Sequence, residues 1–246
     1  MSAAPLVSII VPCRNPGPRL RDALGSVWGQ TDASFEVIVI DGGSTDGSRE
    51  WLESNRDRIA VLVSEPDGGI YDAMNKAIAR ASGEWLLFLG ADDRLAGDSV
   101  LHAASERLLT SPTAGVVVGE AMYDDGRIYR LAARPNPVAR NFVHHQASFY
   151  RRRVFAVHGS FDTTLNITAD YDLNLRLWTA GVRFEPMTLR VAFCGTRGAS
   201  DCGAWKVYRQ EITTRHRHFP SWRCWPWDVA SVVRFLRKQL VTLRDR

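Results

Sequence analysis

The chain has 246 residues, of which 45% are hydrophobic and 24% charged. That is an ordinary globular balance, long enough to bury a core without disulfide or metal staples, and it suits one large α/β domain or a domain with an appendage. Lys and Arg number 31 against 27 acidic residues, a net charge of +4, too small to indicate nucleic acid, and no nucleic-acid partner is expected. The four cysteines, Cys13, Cys194, Cys202 and Cys224, form no C-x-x-C pair, which argues against a thiolate metal site or a disulfide framework. The N-terminus carries no basic stretch, and the apolar run Val7–Val11 is far shorter than a signal-peptide core or a membrane span. A cytoplasmic protein is therefore expected.

In chain order, Val7 to Val11 reads as a buried strand stopped by Pro12, followed by a helix face at Leu20, Ala23, Leu24, Val27 and Trp28. Phe35 to Ile40 is a second strand, closed by the loop Asp41-Gly42-Gly43-Ser44-Thr45-Asp46-Gly47. A short helix at Arg49–Ser54 leads to a third strand, Ile59 to Val63. Ile70, Ala73, Met74, Ala77, Ile78 and Ala81 mark another helix, closed by Gly83. A fourth strand, Trp85 to Leu89, runs into Gly90-Ala91-Asp92-Asp93. Strands alternating with helices, and apolar almost throughout, predict a parallel sheet covered on both faces. The second half is less regular. Strands are expected at Val116–Val118, Arg127–Leu131 and Leu189–Phe193, and a helix at Ala169–Ala180 with Tyr171, Leu175 and Trp178 inward.

Three consecutive strands end in acid: Asp41, Asp67 and Asp92-Asp93. Any one such loop is explained by turn chemistry. Three in a row, on a parallel sheet, converge on one edge, where ligands of such sheets bind. Neighbouring glycines (Gly42, Gly43, Gly68, Gly69, Gly90) let a ligand approach the backbone. Converging carboxylates repel unless a cation or hydrogen-bond donors intervene, and a hard divalent ion bridging a diphosphate meets that need. A dinucleotide site is disfavoured, because the first loop reads Pro12-Cys13-Arg14-Asn15-Pro16-Gly17 instead of G-x-G-x-x-G; no P-loop motif occurs either.

The runs Val7–Asn15, Val37–Gly47, Glu65–Ala77 and Gly83–Asp93, and more weakly His144–Phe149 and Ala169–Leu173, resemble the family 2 glycosyltransferases. The resemblance covers roughly residues 5 to 200. It implies an inverting enzyme of the GT-A fold, α/β with a single mixed, mainly parallel sheet and helices on both faces. By the same resemblance Asp41 and Asp67 contact the nucleoside of a UDP-sugar, over a floor shaped by Pro12 and Asn15. Asp92 lies near the ribose or sugar, and Asp93 binds Mg²⁺ or Mn²⁺. Gly90 and Ala91 stand before Asp92, so the first acid of the common D-x-D form is missing. Asp170 matches the family's general base, with Ala169 in place of the usual glutamate; it would take a proton from the acceptor hydroxyl as the C1–O bond forms. Two other readings stay open: Asp170 as a helix N-cap, and Asp172 as the base. His144 and His145 are either packing residues or part of the acceptor cleft, and Arg197 is either exposed or able to assist diphosphate departure.

Composition shifts past Glu211, dividing the chain into a transferase unit, 1–210, and a basic, Trp-rich tail, 211–246. Trp222, Trp225 and Trp227 fall within six residues and are broken by prolines, a pattern hard to bury in a regular element. Val229, Val232, Val233, Leu236, Leu240 and Leu243 make one helical stripe, with Arg234, Arg237, Lys238, Arg244 and Arg246 mostly elsewhere. Contact of residues 219–246 with an anionic membrane at its inner face fits this pattern, as does a helix packed on the domain or a dimer contact. The expected function is transfer of a sugar from a nucleotide diphosphate, UDP above all, to a hydroxyl of a saccharide or lipid-linked acceptor. A non-catalytic nucleotide-sugar-binding scaffold on the same fold is the alternative; a nucleotidyltransferase is disfavoured because the N-terminal activation loop that chemistry needs is missing.

Overall fold

A computed structural model of the chain describes residues 4–195 and 204–244. Strands β1 (Val7–Cys13), β2 (Phe35–Asp41), β3 (Val61–Ser64) and β4 (Trp85–Phe88) lie side by side in the order β3-β2-β1-β4, all parallel. Helices α1 (Arg19–Trp28), α2 (Ser48–Ser54) and α3 (Ile70–Ile78) connect them. Beyond β4 the sheet becomes mixed. Strand β8 (Ser148–Arg151) is antiparallel to β4, and β6 (Val116–Tyr123) is antiparallel to β8. Strand β9 (Phe184–Cys194) runs parallel to β6, while β5 (Arg94–Leu95) closes the far edge and β7 (Ile128–Tyr129) pairs with β6. Two antiparallel steps restore the direction of β4, so β6 and β9 also end at the edge where β1 to β4 end.

Alternation along the strands explains why both faces are covered. Ile9, Val11, Val37, Val39 and Leu87 pack with α1 and with α4 (Val100–Leu109). Ile10, Ile38, Ile40, Leu86 and Phe88 face the other way. They pack with α3, α5 (Arg153–His158) and α6 (Ala169–Thr179). The near-continuous apolar strands are thus two interleaved sets, each buried by its own helices.

Several expected limits shift for local reasons. Pro12 does not stop β1, which pairs with β2 as far as Cys13 opposite Asp41. Its β4 partners end at Ile10, so the proline, lacking an N–H, falls where only one side of the strand is paired. The third strand starts at Val61, because residues 56–58 form a 3-10 turn that Ile59 closes. The strand expected at Arg127–Leu131 shrinks to two residues, and Leu189–Phe193 is the end of the longer β9.

The C-terminal region is two helices, α7 (Trp205–His218) and α8 (Ser221–Arg244). Helix α7 runs unbroken through residues 210 and 211. All three tail tryptophans, and Pro226, lie within α8, contrary to the expectation that they resist a regular element. The helix docks through Cys224, Ser231 and the partly buried Trp227, with Phe235 against Trp205 and Tyr208. Arg215, fully buried, ties the pair together through Glu211, Asp228 and Ser231. Trp222, Trp225, Val229, Val232, Val233, Leu236 and Leu240 are left exposed. At about 100° per residue they share one arc, roughly 100° wide, turned away from the docked face. The predicted stripe is therefore real, and it does not pack on the domain.

Candidate active site

The loops at the strand ends meet as the parallel order requires. A Cβ on Gly42 would lie 2.6 Å from Asp67 Oδ2, and one on Gly43 3.5 Å from the Pro66 nitrogen. Gly43, at φ 77°, takes a left-handed backbone that favours glycine, and Gly42 leaves room for the Asp67 carboxylate beside the loop after β2. Asn15, at φ 49°, is stitched to the same loop: its N–H donates to Ser44 Oγ at 2.8 Å and its Oδ1 accepts from Thr45 N–H at 2.8 Å. Pro12 is buried behind it.

Asp41 and Asp67 differ in access. Asp41 is fully buried, and its carboxylate accepts from the Ser44 N–H and hydroxyl, the Ser64 hydroxyl at 2.6 Å and the Cys13 thiol. With its oxygens engaged and no solvent access, it holds the loop and offers no free acceptor to a ligand. Asp67 is half-buried and spends one oxygen on Gly69 N–H at 2.9 Å. Burial, and then the charge of Asp41, push the Cys13 thiol far above its ordinary range. Cys13, Cys194 and Cys224 are all buried free thiols; Cys202 and Arg197 lie outside the described residues.

Asp92 and Asp93 sit beside the end of β9. The Gly195 N–H donates to Asp93 Oδ1 at 3.2 Å, and a Cβ on Gly90 would lie 2.5 Å from Asp93 Oδ2. Asp92 is exposed, with Arg19 at 3.4 Å, whereas Asp93 is 5% exposed. Burial, and then the charge of Asp92, hold the Asp93 carboxyl above its ordinary pKa. Apart from the exposed Arg19 beside Asp92 and the Gly195 N–H on Asp93, the two acids face a cavity. Among the described residues no three His, Cys, Asp or Glu side chains form a metal cage. The donor set instead suits an ion that arrives with phosphate oxygens and needs only one or two carboxylates.

Asp92 and Asp93 line two adjoining cavities, of about 560 and 520 Å³, which also share Tyr123, Cys194 and Gly195. Asp170 lines the second, as does Asp93, together with Tyr71, Asn141 and His145. Asp170 is the second residue of α6, whose cap is Thr168, so it is not the N-cap. Its Oδ1 receives the Tyr171 N–H at 2.8 Å and faces the Tyr71 hydroxyl at 3.2 Å. Its Oδ2 receives Asn141 Nδ2 at 2.9 Å and His145 Nδ1 at 3.1 Å. Burial alone would raise its pKa, but these donors, His145 foremost, hold it below the usual carboxylate range.

Asp172 lines neither cavity. It is buried against Arg176 Nε at 3.0 Å and His218 Nε2 at 2.8 Å, a structural ion-pair cluster joining α6 to α7. His144 and His145 stack 6.1 Å apart, and both line the second cavity. His144 bonds the Tyr123 hydroxyl through Nε2, while its Nδ1 is buried without a partner; burial pushes its pKa down to about 3. Tyr71, Tyr123, Arg127, Arg140 and Asn141 were not singled out from sequence. Each is an isolated polar residue, in an irregular loop, at the end of strand β6 or on an otherwise core-facing helix, with no period to mark it.

The glycosyl transferase family 2 model matches residues 8–168. A PGL/p-HBAD biosynthesis glycosyltransferase of Mycobacterium bovis is 32% identical over 188 residues, covering 72% of this chain and 71% of that protein. An uncharacterized glycosyltransferase of Mycobacterium tuberculosis is 36% identical over 204 residues, covering 79% and 76%. Among solved structures, S. aureus TarS 1-349 in complex with UDP-GlcNAc superposes with TM-score 0.68 at 19% identity, over 85% of this chain and 65% of that fragment. The mannosyltransferase PcManGT from Pyrobaculum calidifontis, in complex with GDP-Man and Mn²⁺, gives 0.66 at 21% identity, over 94% and 75%. The chain spans only 38% of the longer TarS chain. With the sheet order, the helices on both faces and the family match over most of its length, the chain is a GT-A protein that belongs to glycosyltransferase family 2.

Proposed function

We propose that this protein transfers a sugar, with inversion, from a nucleotide-diphosphate donor, UDP-linked by preference, to a hydroxyl of a saccharide or lipid-linked acceptor. One observation supports the reading: Asp93 and Asp170 line a single cavity. An acid that can hold a cation on the diphosphate then shares that cavity with a carboxylate able to serve the acceptor, the two functions that in-line displacement demands. Asp67, Asn15 and Pro12 form the nucleoside end, and Asp41 acts there by fixing the Gly42-Gly43-Ser44 loop. Asp92 serves the ribose or sugar. Asp93 would hold Mg²⁺ or Mn²⁺, which when bound neutralises charge on the departing diphosphate. Inversion follows because the acceptor oxygen attacks C1 from the side opposite that diphosphate, while the Asp170 centre receives its proton.

A thermal-shift panel tests the donor half. UDP, GDP and their sugars are added with and without Mn²⁺; a ligand at 100 times its Kd stabilises by about 2.7 kcal/mol. One nucleotide should raise Tm in wild type only when Mn²⁺ is present, and not in Asp93→Ala. A rise that ignores both metal and the substitution contradicts the metal assignment.

The acceptor side is extended to lipid by α8. We infer that its exposed stripe lies on an anionic membrane surface, with Trp222 and Trp225 as anchors. Arg223, Arg237 and Lys238 share the helix with the stripe, and basic side chains of this kind favour acidic headgroups. No helix among the described residues is long and apolar enough to cross a membrane.

A further inference from the structure

Helix α6 begins without help from its own cap. Thr168 is the N-cap, a position whose hydroxyl ordinarily accepts an N–H of the first turn, yet it makes no such bond. The Thr168 hydroxyl is turned to α7 instead, 2.8 Å from Thr214 Oγ1 and 3.3 Å from Gln210 Oε1. The first-turn N–H of Tyr171 goes to Asp170 Oδ1 at 2.8 Å. The carboxylate read above as the base thus also completes the start of its own helix.

What holds that start in place is Gln210, 43 residues beyond Ile167 in the chain. Its Oε1 accepts the Ile167 N–H at 2.9 Å and the Thr168 N–H at 3.1 Å, and two N–H donors fix which end of the amide faces the loop. From the other side the Tyr71 hydroxyl donates to the Ile167 carbonyl at 2.8 Å. Residues 167 and 168 are therefore clamped between α3 and α7, and Asp170 follows within one turn. Tyr71, Ile167, Thr168 and Asp170 all line the second cavity, as do Val207 and Glu211 on either side of Gln210 along α7. Gln210 itself lines neither cavity, so any effect it has on the reaction passes through α6. Without Oε1, two N–H groups lose their acceptor and the segment must move to find another. A misplacement of about 1 Å at a reacting group can cost about 100-fold in rate.

We propose that Gln210 is a positioning residue for glycosyl transfer. By accepting from the Ile167 and Thr168 N–H groups, it holds Asp170 where the carboxylate meets the acceptor hydroxyl. The inference rests on the transfer reading above, with Asp170 as the base, and it makes α7 part of the catalytic unit.

A double-mutant cycle tests this on the full-length enzyme, following nucleoside diphosphate release with Mn²⁺ and water as nucleophile. The donors are UDP-glucose, UDP-N-acetylglucosamine and GDP-mannose. Gln210→Ala and Gln210→Met remove the acceptor atom, the first leaving a space and the second filling it, with folding checked by Tm. Each folded variant should lose about tenfold or more in kcat with donor KM within about threefold. Gln210→Glu, which restores an acceptor oxygen, should regain most of that loss. In an Asp170→Asn background the same Gln210→Met change should cost less than about threefold, because the group it positions is already gone. A purely structural role predicts equal fold losses in the two backgrounds. That result, or kcat within about threefold of wild type in folded Gln210→Met, overturns the assignment and leaves glycosyl transfer standing. Wild type that releases diphosphate from none of the three donors, or Asp170→Asn that matches wild type, removes the reading on which the inference rests.

Discussion

Asp170 and Asp172 lie two residues apart on one helix, and that offset of about 200° sends them to opposite sides of α6. One faces a cavity among hydrogen-bond donors; the other is sealed between Arg176 and His218. Spacing alone could not separate them, because which face of α6 is covered depends on α7, some 40 residues later. His144 shows the same dependence, and it makes a prediction. Its pKa falls from 6.5 to about 3 on burial, so the unfolded chain binds a proton in that window and the folded chain does not. The stability it contributes is complete above pH 6.5 and is lost as pH falls toward 3. Asp93, whose pKa is raised, works in the opposite sense, since the folded state holds its proton more readily. Urea midpoints measured between pH 7 and pH 4 should drop less steeply in His144→Gln than in wild type. Parallel curves for the two proteins would show that His144 is not protonated on unfolding. Other residues were legible for a plainer reason: Asp67, Asp92 and Asp93 follow strands whose end is fixed by a parallel order. Asp41 was readable as a loop residue, yet its full burial depends on Ser64 from the next strand.

At the scale of elements, the first half was readable because its strands and helices are long and periodic. Strands β5 and β7 have two residues each, and pairing across the sheet, not local pattern, makes them. Composition divided the chain at 210/211, but a change in surface chemistry does not end packing. Helix α7 crosses that point and buries Glu211, Thr214 and Arg215. Arg215→Met would remove the buried cation shared by Glu211 and Asp228, leaving them the more exposed Arg234 and His216, and removing one partner of a buried pair costs up to about 3–5 kcal/mol. The expected outcome is a large fall in Tm with the α7–α8 pair loosened, seen as rapid hydrogen exchange in residues 205–240. Helix α8 carries the membrane proposal. Trp222→Ser with Trp225→Ser should lower binding to vesicles containing phosphatidylglycerol by about tenfold or more, because each tryptophan brings a large apolar area to the surface. Tm should not change, since both side chains are exposed. Wild type that ignores anionic vesicles, or that pairs with itself in sedimentation, contradicts a lipid partner.

For the molecule as a whole, the sheet order explains why distant segments form one site. Asp92 and Asp93, after β4, share a cavity lining with Tyr123 of β6, Gly195 after β9 and Asp170 of α6, while Asn15 and Asp67, after β1 and β3, lie at the same sheet edge but line neither cavity. The proposed nucleoside half comes from consecutive loops, whose place at one sheet edge could be read from sequence. The proposed acceptor half is assembled from an irregular stretch, residues 123–170, whose polar members come together only once the chain is folded. The division of labour between Asp93 and Asp170 is tested most directly by diphosphate release. Nucleotide sugars are presented to wild type, Asp93→Ala and Asp170→Asn with Mn²⁺, with folding of each variant checked by Tm. Release by wild type, reduced about 100-fold or more in both variants, is the predicted result; undiminished release in either folded variant would contradict it.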